Sequence, residues 1–125
     1  MMSSTENAFR RLTIGEPGYL ASLAGIDAGR AGLSRLDPRT EGLLRIGALV
    51  ALDAPPSSFR AAVDAARQAG ASLEDLLAVL VAVAGEVGSA RVASAAPRIA
   101  LAAGYDVEAA LEETGPAGSG GGSRG

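Results

Sequence analysis

The chain has 125 residues and a net charge of −3, and 48% of its residues are apolar but only 3% aromatic. This length suits one domain, and with so few aromatic rings the core has to be built from Ala, Leu, Val and Ile, as in closely packed helices. The acidic balance lacks the basic face of a nucleic-acid-binding protein, so we expect no nucleic-acid partner.

Cysteine and histidine are both absent from the chain. A disulfide, thiol catalysis, a Cys/His zinc site and a His-based catalytic triad are therefore excluded without reference to the fold. The N-terminal segment lacks the apolar core of a signal peptide, and the longest apolar run, residues 76–84, is far shorter than the roughly 20 residues of a membrane span. We therefore expect a soluble, cytoplasmic protein that does not associate with a membrane.

The first 35 residues contain two short helical patterns. Residues 1–6 have no clear pattern and are expected to fray, and residues 7–12 could form a short helix. Pro17 suits the first position of a second helix, which Gly25 would end. Residues 27–34 contain two glycines and are predicted to be a connector.

Residue 36 begins a stronger series of helical patterns. Asp37 is predicted as the N-cap of a helix over 38–52, with Pro38 at its first position. A helix over 57–69 follows, capped by Ser57 or Ser58, and it is amphipathic because its apolar residues recur at helical spacing on one face. Gly70 is expected to end it.

The centre of the chain is a helix over 73–84 with almost no polar face. Ser72 and Asp75 form a capping box at its start, and glycines follow its last residue. A helix over 91–103 contains Pro97, which removes a backbone donor and should kink it. A last short helix over 107–113, capped by Asp106, precedes a Gly/Ser-rich tail that we expect to be disordered.

These patterns predict an all-α fold in three parts. Residues 1–35 form the N-terminal short helices and connector, residues 36–114 the helical domain, and residues 115–125 the disordered tail. The helical segments 43–52 and 73–84 are apolar nearly all round, so a second chain should supply the surface that covers them.

Two segments carry a family resemblance. One is Leu36-Asp37-Pro38-Arg39-Thr40, which opens a helix, and the other is the helix–turn–helix sequence ARQAGASLEDL over residues 66–76. Together they resemble the carboxymuconolactone decarboxylase family, which includes the alkylhydroperoxidase-D-like proteins. The resemblance covers residues 36–112 and implies an all-α helical bundle that assembles into homo-oligomers, often trimers or hexamers.

The resemblance also locates the family's catalytic positions. The Cys-x-x-Cys-x-x-x-His of the redox branch falls on Pro55, Ser58 and Ala62, and the helix-borne Glu falls on Gly42 with Glu41 beside it. The decarboxylase branch also has a His at the position of Ala62. None of these groups is present, so neither mechanism can be transferred to this chain.

Few residues remain as candidates for a site. Glu86 follows an apolar run near a helix C-terminus and could be a general base if it were buried, or a solvated or Arg-paired residue at a helix end. We expect it to be buried against Arg91 or Arg45. Arg91 and Arg98 share a helical face and, with Arg45, could bind a carboxylate, although pairing with Glu41, Asp75 or Glu86 is the commoner role for such residues.

The leading hypothesis is an oligomeric protein of this family type without its redox or His-based catalysis, acting as a structural or small-molecule-binding module. The alternative is a thiol-independent decarboxylase or isomerase that uses Glu86 with Arg91 on a small carboxylate substrate. A third hypothesis is an acidic adaptor whose Gly-rich tail tethers or displays it. No acidic cluster has metal-ligand spacing, and we expect no metal ion and no cofactor.

The absence of thiols makes a direct prediction about activity. Because the chain contains no cysteine, the purified protein should show no hydroperoxide consumption above the buffer rate with a dithiol reductant. The assay follows peroxide loss with metal-free protein. Steady turnover in that sample would contradict the prediction.

Overall fold

The computed structural model describes residues 2–24, 35–107 and 111–112, which contain helices and no strand. This confirms the predicted all-α class. The helices are α1 Ser4–Thr13, α2 Pro17–Ala24, α3 Pro38–Leu52, α4 Pro56–Gln68, α5 Leu73–Val87 and α6 Ser89–Ala102. The chain divides into two compact units, Met1–Leu36 and Asp37–Gly125.

The N-terminal unit contains α1 and α2. The expected fraying of residues 1–6 is wrong, because Ser3 and Glu6 form a capping box and the helix begins at Ser4. That signal was visible in the sequence as a Ser followed three residues later by a Glu. Helix α2 begins at Pro17 as predicted, whereas its predicted end at Gly25 and the connector 27–34 lie outside the described residues.

Helix α3 begins as the sequence predicts. The side chain of Asp37 accepts a hydrogen bond from the backbone N–H of Thr40 at 2.9 Å, and Pro38 takes the first helical position. The helix ends at Asp53, which adopts the left-handed conformation with φ 52°. A left-handed residue at this place stops the helix and turns the chain toward α4.

The predicted cap of α4 is wrong. The helix begins at Pro56, before both candidate serines, and its N-cap residue Pro55 makes no side-chain capping hydrogen bond. Proline suits this start because its φ is already helical and it has no N–H to leave unsatisfied. The predicted amphipathic face is confirmed, since Phe59, Val63 and Ala66 are buried.

Helix α5 starts as predicted, with the Ser72–Asp75 capping box in place. It runs through Gly85 to Val87, three residues beyond the prediction, and Gly88 then turns the chain with φ 89°. Helix α6 consequently begins at Ser89, two residues before the predicted start, and contains Pro97. Of the predicted last helix, residues 107, 111 and 112 are helical, and residues 108–110 and 113 lie outside the described part.

Helices α3 to α6 form a bundle in which α3 and α6 each contact both α4 and α5. Its largest fully buried side chains come from three of the helices: Phe59, Ile46, Leu76, Val50 and Val63. Phe59 is the one aromatic residue among the buried residues described. The aliphatic core predicted from the composition is therefore confirmed.

The closest helix–helix contact that depends on a glycine joins α3 to α4. A Cβ atom added at Gly42 would lie 3.1 Å from both the Cα and the Cβ of Ala66. Further along α3, Gly47 faces Val79 and Val83 of α5. Small residues at these points let the helix backbones approach closely, which is how a core with few large side chains is filled.

Gly42 generates a stability prediction. Gly42→Ala should lower the free energy of unfolding by about 1 kcal/mol, because crowding against Ala66 costs roughly 1–3 kcal/mol and the helix propensity gained is about 1 kcal/mol. The matched control is Gly85→Ala, because no atom lies within 4 Å of the added Cβ at that position. The control should be neutral or stabilising in urea unfolding. A Gly42→Ala protein as stable as the Gly85→Ala protein would contradict the prediction.

Candidate functional site

The two arginines of α6 hold the turn between α3 and α4. Arg91 donates a hydrogen bond to the carbonyl of Ala51, and Nη1 of Arg98 donates to the carbonyl of Ala54 at 2.7 Å. Nη1 of Arg98 also lies 3.5 Å from Oδ1 of Asp53. Within the described residues, Arg91 and Arg98 therefore do not pair with Glu41, Asp75 or Glu86, whereas Arg45 lies 3.9 Å from Glu41 as predicted. Pairing across a subunit interface stays a prediction.

Arg91 and Arg98 bind the C-terminal end of α3 because this end offers unpaired carbonyl groups. The last carbonyls of a helix have no partner within the helix, and this end of the helix dipole favours cations. Arg91, Ser94 and Arg98 share one face of α6, and all three reach this turn because Ser94 also donates to Oδ1 of Asp53 at 3.2 Å. Their first role is to anchor α6 to the end of α3.

Arg45 does not join this group. It lies 3.9 Å from Glu41 one turn earlier on α3, and its side chain is 69% exposed. Asp75 is likewise paired elsewhere, since Arg39 contacts it at 2.7 Å. The structure therefore does not assemble Arg45, Arg91 and Arg98 into one anion-binding set.

Asp75 connects the starts of α3 and α5. Its carboxylate accepts the backbone N–H of Ser72 at 2.8 Å and also binds Arg39. The backbone hydrogen bond from Ser72, followed by the hydrogen bond from Arg39, lowers the pKa of Asp75 to about 2. The capping residue of α5 therefore stays ionised at neutral pH and is an acceptor, not a proton donor.

Glu86 is not buried, contrary to the expectation. It is exposed near the C-terminal end of α5, and within the described part of the chain it forms no ion pair. Arg91 binds Ala51 and Arg45 binds Glu41, so neither expected partner contacts it. One chain therefore does not combine Glu86 with Arg91 as the enzyme hypothesis requires, and the catalytic role of Glu86 stays a prediction.

Helices α3 and α5 carry an apolar face that is exposed to solvent. It borders an open groove of about 500 Å³ between the two helices. We define the α3/α5 face by its exposed residues Leu44, Ala48, Leu77, Ala78, Val81 and Ala82. Leu44, Ala48, Ala78 and Ala82 line the groove, whereas Leu77 lines a separate apolar groove between α5 and α6. The sequence indicated this face, because both helices were expected to be apolar nearly all round.

A second cavity lies between α4 and α6, with a volume of about 360 Å³. Its polar residues include Arg60, Ser94, Arg98 and Asp106, and its apolar wall includes Pro97 and Leu101. Arg60 is exposed on the polar side of the amphipathic helix α4. Its proximity to Arg98 could not be recognised, because the two residues are far apart in the chain and on different helices.

Two kinds of site find no support in the described residues. Within residues 2–24, 35–107 and 111–112, no three acidic side chains are grouped so that they could hold a metal ion. Among the helices of the same residues, none is long and apolar enough to cross a membrane.

The fold and the sequence can be compared with those of known proteins. The family model of the carboxymuconolactone decarboxylases matches residues 17–102, well over half of the chain. The chain belongs to the carboxymuconolactone decarboxylase family. No curated protein and no solved structure gives a significant match. The match confirms the resemblance and extends it toward the N-terminus, since it begins at the first residue of α2.

Membership in the carboxymuconolactone decarboxylase family makes the missing groups more informative. The resemblance places the family's redox residues on Pro55, Ser58 and Ala62 at the start of α4. Pro55 is exposed, the other two are half-buried, and none carries a thiol or imidazole. Ser58 has no neighbouring His to activate it as a nucleophile.

The position that the resemblance gives for the family's glutamate has little space for a side chain. It falls on Gly42, which is buried against Ala66. A carboxylate side chain there would require α3 and α4 to move apart. The adjacent Glu41 forms an ion pair with Arg45, one turn further along α3, at 3.9 Å. In this carboxymuconolactone decarboxylase family member, the close contact of Gly42 with Ala66 therefore leaves no room for a longer side chain at that position.

The placement of Glu86 generates a prediction for thermal melts. Glu86→Gln should leave stability unchanged or raise it by a few tenths of a kcal/mol, because an exposed anion near a helix C-terminus is mildly unfavourable. Arg91→Ala should lower stability by about 1 kcal/mol through the lost bond to Ala51.

The double variant tests the geometry. The two effects should add to within about 0.5 kcal/mol, because residues that do not interact are energetically independent. A large loss in Glu86→Gln that disappears in the Arg91→Ala background would instead reveal a direct pair and overturn this placement.

Proposed function

We propose that this protein is a homo-oligomeric member of the carboxymuconolactone decarboxylase family that works as a structural or small-molecule-binding module, without thiol or His chemistry. The observation that carries the proposal is the combination of the α3/α5 face with the absence of cysteine and histidine. The fold of the family is present, the chain has no thiol or imidazole, and the exposed apolar residues of α3 and α5 suit assembly.

The exposure of large apolar side chains supports assembly. Leu44 is 58% exposed, Leu77 61% and Val81 70%, and they lie on neighbouring helices. Single exposed apolar residues are normal, but a contiguous patch marks an interaction surface. Burying each such side chain contributes roughly 1.5–3 kcal/mol. A few of them on each copy therefore supply a large share of an association free energy.

The form of the face suits a second copy of the same chain. Ala48, Ala78 and Ala82 are small, so they leave room between the larger Leu and Val side chains. In a two-fold arrangement the ridge of one copy can enter the groove of the other, and each contact occurs twice. The polar side chains flanking the face include Glu74 on α5 and Arg45 on α3, which have opposite charges and are exposed.

The family resemblance implies trimers or hexamers. A hexamer combines two-fold and three-fold contacts, so the α3/α5 face would supply one of the two interfaces in such an assembly. The proposal for the face does not depend on the subunit number. It requires only that copies associate through α3 and α5.

A charge placed on the face should break the assembly. Light scattering of the unchanged protein at micromolar concentration should give a multiple of the 12.4 kDa chain mass. Val81→Glu should reduce this mass, because association would bury an unpaired carboxylate. Helicity by circular dichroism should remain.

The matched control is Leu101→Glu. Leu101 is 59% exposed but belongs to α6, outside the α3/α5 face, and its substitution should leave the mass unchanged. A monomeric unchanged protein would refute the proposed assembly. An oligomer that survives Val81→Glu would show that another surface forms the interface.

A further inference from the structure

We propose that the cavity between α4 and α6 binds a small organic anion with a compact apolar body. The inference rests on the binding part of the proposed function and is independent of the assembly part, because the cavity does not include the α3/α5 face. The residues that line the cavity include Pro56 and Arg60 of α4 but none of Pro55, Ser58 and Ala62, on which the resemblance places the family's redox residues.

Arg98 gives the cavity a fixed positive charge. Its Nη1 atom is occupied by the carbonyl of Ala54 and lies near Asp53. Among the described residues, no acceptor contacts its Nε or Nη2 atoms. The guanidinium is therefore held in position by one edge and keeps donors for a ligand, so little side-chain entropy is lost on binding.

Arg60 supplies the second charge. It is exposed on α4, lines the same cavity and has no ion pair within the described residues. Unlike Arg98, Arg60 makes no side-chain hydrogen bond to another part of the chain that the structure describes. Two guanidinium groups facing one cavity favour an anion that each can contact through charge-assisted hydrogen bonds.

The rest of the lining restricts the ligand. Pro56, Pro97, Leu101 and Val107 form an apolar wall. The volume of about 360 Å³ is near the lower end of the roughly 300–1,000 Å³ of small-molecule sites. Asp106 also lines the cavity and disfavours ligands with several negative charges. A carboxylate or phosphate monoester on a small ring or short chain fits these properties.

The test uses the full chain labelled with ¹⁵N and follows backbone amide shifts. Benzoate and phenyl phosphate are the two probes, which distinguish a carboxylate from a phosphate monoester. At least one should cause saturable shifts centred on Arg60, Ser94 and Arg98. Benzyl alcohol has the same ring without the charge and should not saturate them. Inorganic phosphate lacks the ring and should bind at least tenfold more weakly than the better probe.

Arg60→Ala should raise the Kd of the better probe about tenfold, the loss expected for a charge-assisted contact. Arg67→Ala is the matched control, because Arg67 is exposed on the same helix and does not line the cavity. Its Kd should stay within about twofold of the unchanged protein. No saturable shift with either probe at millimolar concentration, or equal Kd values for the two arginine variants, would overturn the proposal. Light scattering on the same samples reports assembly separately.

Discussion

Close packing of small side chains is the constraint on which this structure depends. The described core has one buried aromatic residue, Phe59, and is otherwise aliphatic. Such a core reaches protein-like density only if the helix backbones approach closely. The contact of Gly42 with Ala66 is where this condition is strictest. It joins α3 to α4, the two helices on which the resemblance places the family's catalytic groups, and it occurs at the position that the resemblance gives for the glutamate.

The same constraint shapes the outer surface. Helices α4 and α6 do not cover α3 and α5 completely, so α3 and α5 keep exposed apolar side chains on the side away from the core. Exposed residues such as Leu77 and Val81 are of the kind that obligate interfaces bury. In the assembly that we propose, the interface between copies buries the apolar side chains of α3 and α5 that the core of one copy leaves exposed.

The arginines of α6 anchor that helix to the end of α3, and one of them also lines the cavity of the proposed anion site. Arg91 and Arg98 bind carbonyls at the end of α3, which satisfies groups that a helix cannot satisfy by itself. Arg98 does this with its Nη1 atom and also lines a cavity together with Arg60. A residue that stabilises the turn can therefore also prepare an anion site, because the anchoring bond fixes its position.

The sequence by itself determined the helical class, the caps at Asp37 and Ser72 and the apolar character of α3 and α5, because capping and periodicity are local properties of the chain. Its error at α4 was also local, since Pro56 begins that helix before the serines. Only the tertiary structure decided the surroundings of the charged residues. Glu86 is exposed, and Arg98 pairs with Asp53 and lines a cavity together with Arg60. Those relations join distant segments, and no local pattern encodes the distance between two helices that pack side by side.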